Sequence, residues 1–316
     1  MRRAQPHVKR GLEILVRAIH NCTLLSLVAA CGSVTSQSPD AGPARDATDA
    51  TGTQARCDRT KPFGAPTLLP NINSSLDEIS FSLTRDEKTA FVARYAGSGT
   101  GQRRTILSAQ RASTGDAFST PSTTVTSAIN STGDEWRVSS GADCLTLYVS
   151  RDSGLGGTPK FGSFVAVRAD AGASFDAGTL ITVDSTALTD TVTPTISGDG
   201  QTLYWSDLSF SLIYSAGRVD AGRFAGKRTV SMTAQEPVIS GDELTMYYSL
   251  GGNDVLAATR TSKTDMFSNE TTLASVSSPS SDTPVAVTAD DCVLYISSNR
   301  PGGIGGYDIW EARRPQ

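Results

Sequence analysis

TPVAVTADDCVLYISSNRPGGIGGYDIW (Thr283–Trp310) decides the fold of this chain, because it predicts three short strands joined by turns. The run Pro284–Thr288 is apolar enough to be buried on both faces, and the acid pair that starts at Asp290 marks a turn. Val293–Ser297 alternates in polarity, and a glycine-rich loop separates it from a third strand that begins at Tyr307. The stretch therefore predicts consecutive antiparallel strands of one sheet.

The same pattern occurs in four more copies upstream. Each copy has an aromatic residue in its second strand, and these aromatics are Phe91, Tyr148, Tyr204, Tyr247 and Tyr295. An acid precedes each aromatic by five residues: Asp86, Asp143, Asp199, Asp242 and Asp290. Successive aromatics are 57, 56, 43 and 48 positions apart, a period that predicts a four-stranded propeller blade. We expect the acids to accept backbone N–H groups at the hairpin turns.

A phenylalanine marks the outer strand of each copy. Four follow their second strands (Phe118, Phe175, Phe224 and Phe267), whereas the fifth, Phe63, precedes the first copy. This displacement predicts that Pro62–Leu69 supplies the outermost strand of the last blade, which removes the unpaired edges of an open array. The predicted fold class is all-β, a five-bladed β-propeller closed by the N-terminal strand, with a six-bladed ring as the alternative.

The first residues are typical of an export signal. A basic start is followed by a short apolar run, Thr23–Ala30, which is too short to span a bilayer as a helix. VAAC (Val28–Cys31) resembles the cleavage box of bacterial lipoproteins, which implies that Cys31 is lipidated; a secretory signal cleaved nearby is the alternative. We expect a lipoprotein-type signal peptide at 1–30, a disordered tether at 31–56 and the propeller at 57–316.

Composition excludes several kinds of chemistry. Both histidines, His7 and His20, lie in the signal segment, so residues 31–316 offer no histidine for a catalytic triad or for most zinc sites. The chain has 28 Lys and Arg against 32 Asp and Glu, and five of those bases but only one acid precede residue 31. The remaining chain is therefore acidic and a poor nucleic-acid binder.

Three cysteines follow Cys31: Cys57, Cys144 and Cys292. In a closed ring, Cys57 begins the closing strand and Cys292 lies at a hairpin turn of the same blade. We therefore expect a Cys57–Cys292 disulfide in the oxidising compartment that an export signal implies. The odd count leaves Cys144, two blades away, as a free buried thiol.

The copies PTISGDGQTLYWS (Pro194–Ser206) and LYISSNRPGGIGGYDIW (Leu294–Trp310) resemble the repeats of TolB-like, WD-type bacterial propellers. The resemblance extends from Phe63 to the C-terminus. It implies an all-β propeller in the periplasm or on the cell surface that binds proteins or acts as a scaffold. TolB itself has six blades and a further domain that this chain does not show, so a TolB role is not implied.

Acids precede the first strand of every copy. They are Asp77, Glu78, Asp134, Glu135, Asp190, Glu236 and Asp282, and NSSLDE (Asn73–Glu78) closely matches NSTGDE (Asn130–Glu135). In a propeller these positions fall at one mouth of the central channel. A ring of carboxylates there could hold Ca²⁺, bind a basic partner, or supply the acid and base of a glycosidase. The alternative is that the acids cap turns around a solvated mouth.

Taken together, the sequence predicts a monomeric, non-enzymatic lipoprotein of the cell envelope, anchored at the outer membrane and facing the periplasm or the surface. Its propeller would bind a protein or a saccharide of the envelope and need no cofactor other than Ca²⁺. A carboxylate-based glycosidase or a carbohydrate-binding propeller is the alternative function.

Overall fold

The computed structural model describes residues 56–95, 103–131, 133–152, 160–209, 212–232, 234–251 and 253–316. Strands dominate these residues, and a 3₁₀ turn at Ile129–Ser131 is the only helical element among them. None of the described helical segments is long and apolar enough to cross a membrane. The predicted signal peptide, Cys31 and the predicted tether lie outside the described residues, except for Arg56 at the end of the tether.

Five sheets form the five blades, and their strands pair antiparallel except for one parallel pair in blade 3. Blade 1 contains β2 (Glu78–Leu83), β3 (Thr89–Tyr95) and β4 (Arg104–Gln110). Blade 2 contains β5 (Asp134–Ser140), β6 (Thr146–Asp152), β7 (Phe161–Val167) and β8 (Thr179–Leu180). Blade 3 contains β11 (Thr191–Ile196), β12 (Thr202–Asp207), β13 (Ile213–Arg218) and β14 (Arg223–Ser231), extended by β9 (Thr182–Val183) and β10 (Thr186–Ala187).

The last two blades complete the ring. Blade 4 contains β15 (Gln235–Ile239), β16 (Thr245–Leu250), β17 (Asp254–Thr259) and β18 (Ser268–Thr272). Blade 5 contains β19 (Asp282–Val287), β20 (Val293–Ser298), β21 (Asp308–Arg313) and the N-terminal strand β1 (Thr67–Leu68). The first strand of each blade packs against that of the next blade, and the last packs against the first.

Closure by the N-terminal strand is confirmed, and the six-bladed alternative is wrong. β1 pairs antiparallel with β21, with Thr67 opposite Glu311 and Leu68 opposite Trp310. Blade 1 departs from the four-stranded pattern, because its outer strand is reduced to a single bridge between Ser108 and Ser122.

The hairpin between the first two strands has the same construction in all five blades. The repeated aspartate accepts an N–H from the residue two positions later: Lys88, Leu145, Gln201, Leu244 and Cys292. The predicted capping role of these acids is confirmed. The residue after each aspartate has a positive φ, and only one of the five is glycine: Glu87, Cys144, Gly200, Glu243 and Asp291.

An arginine at the end of the third strand of each blade, or directly after it, holds this turn in place. Its guanidinium donates to the carbonyl of the positive-φ residue; the donors are Arg111, Arg168, Arg218, Arg260 and Arg314. Four of these guanidinium groups also stack on the outer-strand phenylalanine of their blade, at 3.9–4.5 Å from the ring centroid. In blade 5 the arginine is Arg314 and the ring is Phe63, so the two ends of the domain meet in one contact.

The hydrophobic core is divided into five clusters, each between two neighbouring blades. The second-strand aromatic of one blade packs against the outer phenylalanine of the next. Phe91 meets Phe175 at 5.8 Å between ring centroids, and Tyr247 meets Phe63 at the same distance. The aromatics and phenylalanines that marked the repeat in the sequence are therefore the core of the blade interfaces.

Cys57 and Cys292 form a disulfide, with their Cα atoms 5.7 Å apart. It joins the segment that precedes the closing strand to the hairpin of blade 5. The expectation of a free Cys144 is wrong, because this residue is also disulfide-bonded.

Candidate functional site

Three of the seven candidate acids are sealed inside the protein. Glu78, Glu135 and Asp282 have no exposed surface, and each binds an arginine of its own blade. Those arginines are Arg94, Arg151 and Arg300. Each arginine also donates to the carbonyl of the residue six positions before its acid: Ile72, Ile129 and Val276. The pairs hold the loop that enters the blade against its first two strands.

Burial outweighs the arginines in the electrostatics of two of these pairs. It raises the pKa of Glu78 to about 7, against the opposing effects of Ser74 and Arg94. It also raises the pKa of Glu135 to about 7, although Arg151 contacts both carboxylate oxygens at 3.0 and 3.2 Å. Such pKa values can indicate a catalytic acid. Neither carboxylate is exposed to a substrate, so these shifts are consequences of structural burial.

The other four acids have separate surroundings. Asp77 accepts the N–H of Tyr307, and Asp134 binds the backbone and side chain of Arg104. Burial favours the neutral form of Asp134, but the hydrogen bonds from Arg104 outweigh it and lower the pKa. Asp190 is exposed, and only Glu236 faces the channel.

The structure therefore does not bring the seven acids into a ring of carboxylates at one mouth. Within the described ranges, no three Asp, Glu, Cys or His side chains are grouped so that they could hold a metal ion. The physical reason lies in the arginines: a pair such as Glu135 and Arg151 turns inward because each group satisfies the other. The sequence showed the acids but not the arginines that face them.

An ion pair crosses one end of the channel. The first strand of each blade contains a bulge against the second strand, and we call this the bulge end. Arg137 of blade 2 pairs there with Glu236 of blade 4, which are not neighbours in the ring. Arg137 also donates to the carbonyl of Ile79 in blade 1, at 2.8 Å. Glu236 has a φ of 54°, the left-handed conformation that re-aims a side chain at a bulge.

A cavity of about 110 Å³ occupies the opposite end of the channel, the turn end, and all five first strands line it. The two ends share the wall residues Val138, Thr195 and Val285, so the Arg137–Glu236 pair lies beyond the cavity floor. At roughly 10–15 Å³ per water, the cavity holds on the order of eight water molecules, or one small organic molecule.

Hydroxyl side chains alternate with apolar residues in the cavity wall, and several of them connect adjacent blades. Ser82 accepts the N–H of Ser140 at 2.8 Å, and Ser139 accepts the N–H of Ile196 at 3.2 Å. The Ser140 hydroxyl donates to the Leu83 carbonyl at 2.6 Å. Among the described contacts, the Ser82 and Ser139 hydroxyls act only as acceptors, which leaves their protons to donate into the cavity.

Two charged side chains lie at the mouth of the cavity. Arg85 is exposed and reaches from blade 1 to the carbonyl of Gly198 in blade 3, at 3.1 Å. Glu87 is half-buried and pairs with Arg56 at 2.9 Å and with Arg111 at 3.5 Å. The mouth thus presents one carboxylate whose charge is balanced by guanidinium groups.

Solved structures with the same fold include enzymes. A GH43_1 enzyme from Xanthomonas citri is similar with a TM-score of 0.55 and 13% identity, over 79% of this chain and 90% of that chain. The catalytic domain of a GH62 α-L-arabinofuranosidase from Coprinopsis cinerea has a TM-score of 0.48 and 12% identity, over 80% of this chain and 96% of that chain. A periplasmic gluconolactonase from Pseudomonas aeruginosa has a TM-score of 0.39 and 14% identity, over 75% and 73%. At 13% identity the likeness to the GH43_1 enzyme shows the propeller fold alone.

No protein-family model matches the chain, and no curated protein matches it. The propeller that the TolB-like resemblance implied is confirmed, whereas membership of that family stays a prediction. The sequence predicted a non-enzymatic protein. This prediction is corrected, because the propeller architecture on which it rested is also the architecture of the GH43_1 enzyme.

Sequence reasoning missed the residues that line the cavity. Ser82, Ser139 and Thr195 occupy the same position of the repeat, two residues before the turn residues Thr84, Gly141 and Ser197. Hydroxyl residues at this position in three of five copies were a visible signal. Serine and threonine are common throughout this chain, however, so the signal did not stand out.

Proposed function

We propose that this protein is a carbohydrate-active propeller that takes one sugar unit, or a polyol of similar size, in the turn-end cavity. The observation that supports the proposal most strongly is the presence of side-chain hydroxyls, among them Ser82 and Ser139, in the wall of a space of about 110 Å³. Sugar hydroxyls both donate and accept hydrogen bonds, and serine and threonine hydroxyls complement them in both roles. Val138 and Val285 supply apolar wall area for the C–H faces of a sugar ring.

The charges at the mouth restrict the ligand further. The Glu87 carboxylate is already paired with Arg56 and Arg111, so a strongly cationic ligand is not favoured. A neutral saccharide fits this environment. If the bound sugar is also cleaved, Glu87 is the carboxylate of the described wall that could take part, and the two-carboxylate mechanism would need a second one nearby.

Calorimetric titration of the full chain with a panel of neutral monosaccharides and polyols tests the proposal. We expect at least one to bind in the micromolar to millimolar range, and Ser139→Ala to weaken that binding by roughly tenfold through loss of one hydrogen bond. Ser297→Ala is the matched control, since this hydroxyl also bridges two blades, donating to the Glu78 carbonyl at 2.8 Å, but lies outside the cavity.

If no sugar or polyol binds, or if Ser139→Ala and Ser297→Ala weaken binding equally, the cavity is not the site. A separate assay with chromogenic glycosides tests for hydrolysis. Release of chromophore that is lost in Glu87→Gln would extend the function from binding to hydrolysis.

We also propose that the protein is exported and held at the cell envelope by lipidation of Cys31, as the resemblance of VAAC to a lipoprotein cleavage box implies. Replacing Cys31 with Ser should move the protein from the membrane fraction into the soluble fraction. The shift should be large, because stable anchoring requires more than one acyl chain and all of them depend on this residue. Unchanged fractionation would contradict the proposal.

A further inference from the structure

The junctions between blades 3 and 4 and between blades 4 and 5 contain the same buried polar cluster. In the first, the Tyr204 hydroxyl donates to Glu243 at 2.7 Å and accepts from Arg260 at 2.7 Å. In the second, the Tyr247 hydroxyl donates to Asp291 at 2.7 Å and accepts from Arg314 at 3.0 Å. In both clusters the carboxylate belongs to the positive-φ residue of the next hairpin.

The junction between blades 2 and 3 has the tyrosine and the arginine but no carboxylate. Tyr148 occupies the tyrosine position, Arg218 the arginine position, and Gly200 the position of the acid. The Tyr148 side chain is fully buried, and its hydroxyl has no hydrogen-bond partner. A buried hydroxyl without a partner is rare in folded proteins, because it loses its hydrogen bonds to water without replacement.

The backbone at Gly200 could carry an acid as the junctions with Glu243 and Asp291 do. Its φ of 74° is close to the 60° of both Glu243 and Asp291. A Cβ atom built on Gly200 would lie 3.4 Å from Arg218 Nη1 and 3.5 Å from Ala142 Cβ, which are ordinary contacts. The site therefore accommodates at least the first carbon of a side chain without a clash.

The charged groups that act on the Tyr148 hydroxyl are the Arg218 guanidinium and the Asp143 and Asp220 carboxylates. The Arg218 guanidinium donates to the Gly200 carbonyl at 3.2 Å and to the Asp220 carbonyl at 3.3 Å, and its Nη2 lies 3.9 Å from Asp143. The 3.9 Å separation is longer than a hydrogen bond, so Nη2 retains donor capacity. The Asp143 carboxylate repels negative charge, so a bound molecule should carry no more than one negative charge.

We propose that the junction between blades 2 and 3 is a binding site for a small monocarboxylate, such as formate or acetate, held by the Tyr148 hydroxyl and the Arg218 guanidinium. The bound group takes the place that the Glu243 and Asp291 carboxylates fill at the other two junctions. This site lies at a blade interface, outside the turn-end cavity, and is independent of the sugar proposed there.

Thermal melting of the full chain in increasing sodium formate tests the proposal, with three variants. We expect formate to raise the melting temperature of the parent saturably, by about 3 °C at tenfold excess over its dissociation constant. Tyr148→Phe removes one donor, and Gly200→Asp supplies the carboxylate within the chain, so both should lose the formate-dependent rise. These variants also control for general salt effects.

Gly200→Ala places a side chain at the positive φ without adding a carboxylate. Comparing it with Gly200→Asp therefore isolates the effect of the carboxylate on stability. We expect Gly200→Asp to melt about 3 °C above Gly200→Ala in the absence of formate. The proposal is overturned if formate does not shift the parent, or if it shifts the parent, Tyr148→Phe and Gly200→Asp equally. A saturable rise confined to the parent and Gly200→Ala supports it.

Discussion

The two ends of the central channel use acidic residues in different ways. At the turn end, one aspartate per blade caps its own hairpin, and all five do so with the same hydrogen bond. At the bulge end, the acids near the strand starts are found in buried arginine pairs, in a contact across the channel, or on the surface. Acids that make the same hydrogen bond in every blade therefore have a structural role that each blade requires. The contacts of the other acids differ from blade to blade, because they depend on the partner residue that each blade supplies.

The strongest test of how much an acid depends on its partner is to neutralise one buried, arginine-paired acid and one exposed acid. Glu135→Gln leaves Arg151, which is 4% exposed, without a charged partner, and should lower the free energy of unfolding by about 3 kcal/mol. The measurement is chemical denaturation at pH 8, where the Glu135 carboxyl is ionised. Asp190→Asn is the control, because that acid is exposed and should change stability by about 0.5 kcal/mol or less. Equal effects of the two variants would contradict a structural role for the Glu135–Arg151 pair.

The acids at the two ends should also contribute differently to the pH dependence of the free energy of unfolding. Burial raises the pKa of Glu78 and of Glu135 to about 7 in the folded state, so the folded state binds more protons than the unfolded state between about pH 4.5 and 7. Their contribution is therefore greatest below about pH 4.5 and is lost as the pH rises through 7.

At the turn end, burial alone would raise the pKa of Asp199 and Asp290, but the turn hydrogen bonds outweigh it and lower the pKa. Their contribution is present above about pH 4 and is lost as the pH falls.

We therefore expect the free energy of unfolding to be greatest near pH 5 and to fall by about 1–3 kcal/mol between pH 5 and 8. Urea denaturation across this range measures the effect. The double variant Glu78→Gln/Glu135→Gln should have a flatter profile above pH 5 than the parent. No histidine titration complicates this range within residues 31–316, since both histidines precede residue 31. A parent profile that is flat, or a slope that survives in the double variant, would show that other groups control stability above pH 5.

Much of the architecture could be predicted because equivalent residues in each copy of the repeat have the same structural role in their blade. Phe91 and Tyr247 recur at fixed positions since each fills the space between two blades, and the displaced Phe63 identified the closing strand for the same reason. The arginine that fastens each turn was missed. In blades 1, 2 and 4 it precedes the outer phenylalanine by seven residues, as Arg111 does Phe118, and this spacing was available in the sequence.

The candidate site could not be predicted to the same extent. The sequence by itself determined the all-β class, the five blades, the closing strand and the capping role of Asp199 and its equivalents, because these depend on local patterns repeated along the chain. Only the tertiary structure decided that Glu135 faces inward, that Arg137 and Glu236 meet across the channel, and that Ser139 lines a cavity. These outcomes depend on pairs of residues that are distant in sequence or on different blades, and burial makes each side chain's behaviour depend on its partner.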